Sequence, residues 1–295
     1  MKASIKDKVL LVLGGVFLTV LFGLLIFDIT RRGVYRGKMG INMIVVGDER
    51  ASVLLLRPEE EVVSWIKLPR NIKIKVFDSE ALYPLESLWG YGVSLKNPFE
   101  VVEKSLGQAM GVVISRTIKL DDSSLMENVL GSLFKVGLKT DLSIRDRVMI
   151  RRFLAEAAKS KKVLELTIPG SVFDKISDPD GKEFLEFNGT MALWTKNKFV
   201  IESILDENTD ISINNISGIA GAGNILSSQL ESAGMHVIEV KAGLEETVEG
   251  KGCMYSTNTP YEMTEIVIKE QVGCKKIAKP GFVEEDEQGI RVWIK

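Results

Sequence analysis

Arg70 closes the run Ser64-Trp65-Ile66-Lys67-Leu68-Pro69-Arg70, an apolar strand pattern that ends on a guanidinium. A planar, permanently charged fork at a strand end can hold a phosphate through two parallel hydrogen bonds, so Arg70 is a candidate for phosphate or glycan binding. Arg145, Arg147, Arg151 and Arg152 form a second basic group, on a segment with helical periodicity. They suit an anionic ligand, but they suit better the wet face of an amphipathic helix with Asp146 and Glu156 as partners. The run Ser217-Gly218-Ile219-Ala220-Gly221-Ala222-Gly223 links a strand to a helix, with Glu239 about twenty residues further on, which resembles dinucleotide-binding geometry. Its spacing is Gly-x-x-Gly-x-Gly, however, and close backbone packing is the better reading. His236 is the single histidine, and it has no free partner type with which to build a triad or a metal site.

Cys253 and Cys274 are the only cysteines. A strand leaving Cys253 and a helix returning to Cys274 cover similar distances, so the sulfurs can meet; a disulfide and two buried thiols both fit. A bond would stabilise a small domain by roughly 3 kcal/mol and would indicate an oxidising compartment. Two cysteines and one histidine exclude a structural zinc site, so any metal would need oxygen ligands.

These residues must be positioned by elements that begin beyond a membrane. Val9 to Phe27 contains no charge and one polar residue, Thr19, which is long and apolar enough for one spanning helix. No small-x-small cleavage pattern follows it, so it reads as an uncleaved anchor that contacts membrane lipid. Lys2, Lys6 and Lys8 before it face Arg31, Arg32, Arg36 and Lys38 after it, so charge counting leaves the orientation open. The chain has 38 basic and 40 acidic side chains; residues 1–38 hold seven and two of these, leaving 31 and 38 and a formal charge of −7. An acidic body of that kind is no nucleic-acid binder.

The fold class expected is mixed α/β. Strands are predicted at Ile41–Val46, Ser52–Leu56 and Glu61–Leu68, and Asn97-Pro98-Phe99-Glu100 opens a helix that stops at Gly111. Val112–Leu120 follows as a strand, then helices ending near Gly137 and starting after Ser143, a strand at Val163–Ile168 and a helix near Lys198–Leu205. After residue 206 the pattern restarts as a βαβ unit, Asp210–Ile213, Ala220–Ala233 and Met235–Val240. A strand at Cys253–Ser256, a helix capped at Thr259-Pro260 and a strand at Ile290–Ile294 complete it. Three parts result: an anchor and juxtamembrane segment over 1–38, a mixed-sheet domain over 39–205 and a small domain over 206–295.

ISINNISGIAGAGNILSSQLESAGMHVIEV and YSTNTPYEMTEIVIKEQ resemble the C-terminal domain of LytR-type cell-envelope proteins, in strand, Asn-rich turn, Gly-opened helix and Gly exit. Upstream, SWIKLPRNIKIKV is similar to the strand that ends in Pro-Arg-Asp in the LytR-CpsA-Psr family. LYPLESLWGYG and NPFEVVEKSLGQAMGVVISRTIKLD resemble that family's Gly-containing loop, helix and next strand. LKTDLSIRDRVMIRRFLAEAAKSKKVLELTIPG resembles its late helix and its strand ending in Pro-Gly.

The resemblance implies an anchored, exported protein that moves a glycopolymer phosphate from a polyprenyl carrier to the wall. In that family arginines clamp the pyrophosphate and acidic residues hold magnesium. This chain departs from the pattern where the chemistry sits. Asn71 follows Arg70 in place of the acid, and Gly47-Asp48-Glu49-Arg50 runs into Ala51-Ser52 without the family's Arg-Ser-Asp-Thr segment. Only about twenty residues separate Leu120 from Thr140, which leaves no room for the later arginine-rich segment. Asp48 and Arg50 are displaced substitutes at best and fit a tight turn better.

The expectation is therefore a site-depleted relative: a single-pass protein of the cell membrane, its body outside the cytoplasm, that binds or scaffolds without catalysis and without a cofactor. Wall glycan, a polyprenyl-linked precursor or wall-synthesis proteins are the partners expected. One alternative is an active phosphotransferase that uses Arg70 and magnesium. The other is an anchored protein facing the cytoplasm with no wall role.

Overall fold

The computed structural model describes residues 13–23, 26, 39–48, 50–77, 79, 81–121, 126–243, 251–278 and 289–295. The expected span Val9–Phe27 lies partly outside these residues. Its described part is a helix, α1 (residues 13–23), with Leu13, Phe17, Leu18 and Phe22 exposed. Among the described residues no helix is long and apolar enough to cross a membrane.

Six strands form the first sheet: β1 (Ile41–Val46), β2 (Ala51–Arg57), β3 (Val62–Lys67), β6 (Arg116–Lys119), β7 (Lys139–Thr140) and β8 (Val163–Leu166), in the order β7-β6-β1-β2-β3-β8. β1 and β2 are buried at every position, because both faces of the sheet are covered. Alternate side chains divide between two cores. Ile44, Val46, Val53, Leu55 and Ile66 point into one, against α2 (Leu85–Ser94) and α3 (Pro98–Met110); Met43, Val45, Leu54, Leu56 and Trp65 point into the other, against α4 (Met126–Ser132) and α5 (Ile144–Lys159).

Local chemistry explains where the helices begin and end. Pro98 occupies the first turn of α3, and the helix stops on Gly111 at φ 65°, a left-handed conformation that glycine adopts at little cost. Ser143 Oγ accepts the Asp146 N–H at 3.1 Å and so caps α5.

Several expectations are corrected here. Leu82–Gly92 is no loop: it forms β5 (Leu82–Pro84) and then α2, whose Leu85, Leu88, Trp89 and Gly92 share one buried face. Val112–Ser115 is not strand either, since the turn at Gly111 delays β6 until Arg116. The expected helix near Lys198–Leu205 begins only at Glu202, as α7 (Glu202–Glu207), and a separate short helix, α6 (Thr190–Thr195), precedes it. Two hairpins went unread, β4 (Lys73–Lys75) with β5 and β9 (Phe173–Ser177) with β10 (Glu183–Phe187).

The second sheet has the order β12-β11-β15-β13-β14, from β11 (Asp210–Asn215), β12 (His236–Ala242), β13 (Cys253–Thr257), β14 (Lys275–Lys276) and β15 (Ile290–Ile294). β11 runs parallel to both β12 and β15. α8 (Ala222–Ser232) makes the β11-to-β12 crossover, and α9 (Glu262–Ile266) continues into a π-helical turn at Val267–Gln271. Their apolar faces meet Ile211, Ile213, Tyr255 and Val292 in a third core, which also takes in Met39 and Val113. The second sheet is thus packed onto the first region: Gln229 Nε2 donates to Val112 O at 3.1 Å, and Ser115 Oγ donates to Gln271 Oε1 at 2.9 Å.

Candidate functional site

β1, β3, β6 and β8 run in one direction, so their carboxyl ends share one edge of the first sheet. In α/β folds that edge is where ligands are held, because strand ends and the following loops leave a crevice there. Arg70 stands on it, exposed, in the turn after β3. The turn is anchored: Leu68 N–H bonds to Ala51 O at 3.0 Å, and Leu185 N–H bonds to Asn71 O at 2.8 Å. The backbone at Arg70 therefore stands on a fixed base, and the residue is exposed.

Charged groups at this edge form ion pairs. Asp48, in the β1–β2 turn, is ion-paired with Lys119, and Lys67 reaches both carboxylate oxygens of Glu165 at 2.8 and 2.9 Å. Lys73 is paired with Asp178 on the adjoining hairpin. A divalent ion would need several oxygen donors with net negative charge. Here Asn71 offers a neutral amide, while the Asp48 and Glu165 carboxylates are each held by a lysine. Among the described residues, no three His, Cys, Asp or Glu side chains gather as metal ligands. The described residues at this edge do not fit a magnesium site.

The four arginines of α5 do not converge. Arg147 Nε donates to Leu142 O at 3.1 Å, Arg151 lies over the Phe134 ring at 5.4 Å, and Arg152 pairs with Glu156 one turn away at 3.8 Å. They are spread around the outer side of the helix, as an amphipathic surface helix requires.

Sequence reasoning missed a polar cluster at the opposite edge. Glu103 of α3 accepts the Thr117 hydroxyl at 2.9 Å; Asp141, after β7, accepts the Thr117 N–H at 3.0 Å and lies 3.5 Å from Arg116 Nε. Burial pushes the Glu103 carboxyl well above its usual range, and the neighbouring Asp141 pushes it further. Burial also raises Asp141, against the pull of Arg116. Two carboxyls that share a buried site with one cation both favour their protonated forms more than free acids do. No sequence signal marked this pair, because its members are 38 positions apart and meet only when α3 packs on β6.

In the second sheet, the Gly-rich run lines an open crevice of about 1030 Å³ at the carboxyl ends of β11 and β12. Asn215 shapes its loop, accepting from Ser217 N–H at 3.2 Å and donating to Ile219 O at 2.8 Å. A Cβ on Gly223 would come within 2.7 Å of Val240 Cγ1, so that glycine serves packing of α8 on β12. β12 runs past the expected end at Val240 to Ala242, and Glu239 pairs with Lys241 at 2.9 Å. His236 Nδ1 lies 2.7 Å from Asp210 Oδ1 on the surface.

Cys253 and Cys274 are bonded, with Cα atoms 4.5 Å apart. The bond ties β13 to the residue just before β14 and encloses α9 and the π-helical turn.

No protein-family model and no curated protein matches this chain. Solved structures do. TagT of B. subtilis has a TM-score of 0.41 at 8% identity, covering 54% of this chain and 88% of its own. TagV of B. subtilis has 0.40 at 10%, covering 53% and 94%. A LytR-CPS2A-psr family protein, YwtF (TagT), solved with bound octaprenyl pyrophosphate lipid, has 0.38 at 10%, covering 52% and 86%. The structural neighbours are LytR-CpsA-Psr proteins.

Proposed function

We propose that this chain is a membrane-anchored, exported cell-envelope protein that binds a phosphate- or pyrophosphate-linked glycan carrier without turning it over. The observation that carries the reading is Arg70: it stands exposed on the carboxyl edge of the first sheet, beside an amide rather than a carboxylate. An arginine so placed can clamp two phosphate oxygens. Phosphoryl transfer asks for more, namely charge stabilisation on both sides of the breaking bond and an activated nucleophile. The edge acids Asp48 and Glu165 are bound by lysines instead. Export is supported by the apolar stretch Val9–Phe27 and by the Cys253–Cys274 bond, since disulfides persist outside the reducing cytoplasm. On this reading residues 39–205 are the ligand-binding domain and residues 206–295 a second, scaffolding domain.

The test uses the full chain in lipid nanodiscs with a polyprenyl-pyrophosphate lipid and magnesium, measuring binding and phosphate-bond cleavage together. Wild type is expected to bind without cleavage. Arg70→Ala is expected to bind roughly tenfold to a hundredfold more weakly, the range for losing a hydrogen bond to a charged group. Arg70-dependent turnover would establish the phosphotransferase instead, and absence of binding would remove the ligand assignment.

A further inference from the structure

β12 is an edge strand of the second sheet. Among the described residues nothing pairs with its outer side, yet it is seven residues long and carries Ile238 at 54% and Val240 at 38% exposure. A long edge strand with apolar side chains is a template for another strand. Which backbone groups face outward follows from the ladder. Gly243 N–H bonds inward to Asn215 O, so by the two-residue alternation Ala242 and Val240 turn their N–H and C=O groups outward.

From this geometry we infer that β12 pairs antiparallel with β12 of a second copy, about a two-fold axis through Val240, to make one continuous sheet across the dimer. The side chains select both partner and register. The β11–β12 register shifts at Ile238, so the regular part of the edge is Glu239–Ala242; centred on Val240, the pairing sets Val240 against Val240 and Glu239 against Lys241 on both sides of the axis. Val240 is then a hydrogen-bonded pair, and Glu239 and Lys241 fall at the closer, non-hydrogen-bonded positions, where opposite charges attract most. Centring on Glu239 would set two glutamates face to face, and centring on Lys241 two lysines. Within one chain Glu239 and Lys241 already lie side by side at 2.9 Å, both largely exposed. The dimer extends that contact into a four-charge row, and the interface is isologous and closes on itself.

The test is the mass of the full-length chain in detergent micelles over a concentration series, by sedimentation and light scattering. Wild type is expected to dimerise. Glu239→Lys sets lysine against lysine twice and is expected to weaken association at least about tenfold. The charge swap Glu239→Lys with Lys241→Glu is expected to restore it. Both native cysteines are in the disulfide, so Val240→Cys adds the one free thiol, and mild oxidation of membranes should give a covalent dimer. A wild type that stays monomeric, or a dimer indifferent to Glu239→Lys, overturns the inference. So does a dimer that Glu239→Lys weakens and the swap fails to recover.

Discussion

Reducing the Cys253–Cys274 bond releases a loop whose ends are 21 positions apart. In the chain-entropy account, a closed loop of that size removes about 11 cal/mol/K from the unfolded ensemble, or about 3.4 kcal/mol at 25 °C. The enclosed segment is not peripheral: Ile266, Val267 and Ile268 lie on it and are buried in the third core, and Cys274 itself is 2% exposed. Freed from the bond, α9 and its π-helical turn must be held by packing alone. The full chain should be unfolded by urea in detergent, oxidised and fully reduced, with intrinsic tryptophan fluorescence as the probe. Trp293 is fully buried on β15, which pairs directly with β13, so it reports on the affected sheet. A loss near 3 kcal/mol is expected, and replacing both cysteines by serine should lose at least as much, because a hydroxyl then occupies the buried site of Cys274. A loss below about 1 kcal/mol would refute the reasoning, for it would mean that the loop is already constrained in the unfolded chain.

Further outcomes follow from other sites. Glu103 and Asp141 bind protons more tightly in the folded than in the unfolded chain, so the stability they contribute is full below the ordinary carboxylate range and falls as pH rises through their raised values. Glu103→Gln keeps an acceptor for Thr117 and removes one of the two raised groups, and should flatten the fall in urea stability as pH rises above the ordinary carboxylate range; an unchanged slope would contradict the raised Glu103. Gly92→Ala puts a Cβ 2.5 Å from Pro98 Cα, where α2 meets α3, and should cost about 1–3 kcal/mol in thermal or urea unfolding. Asp48→Asn, by contrast, removes an exposed partner of Lys119 and should change stability by under about 1 kcal/mol. Protease added to intact cells should digest the body beyond residue 38, whereas full protection would favour the cytoplasm-facing alternative.

Much of the first sheet was legible because its strands are apolar at successive positions and its helices carry their own stops. Ile41–Val46 was read with the bounds it has, and Gly111 ends α3 as its backbone freedom suggested. What failed was local. Leu82–Gly92, a loop only by its resemblance to the family's Gly-containing loop, is strand and helix, because burial of Leu85, Leu88 and Trp89 against the sheet outweighs two glycines. The hairpins β4–β5 and β9–β10 are too short and too polar on one side to announce themselves.

By itself the sequence determined the mixed α/β class, the apolar N-terminal stretch, the acidic body and the departure at Asn71, since each depends only on residue type and near-neighbour order. The tertiary structure alone decided the rest. It joined Cys253 to Cys274 where the sequence left a bond and two thiols equally open. It brought Glu103 beside Asp141, and it left β12 on an outer edge with its backbone turned outward. All of these rest on which distant segments touch, and strand order and helix packing decide that through contacts no local pattern encodes.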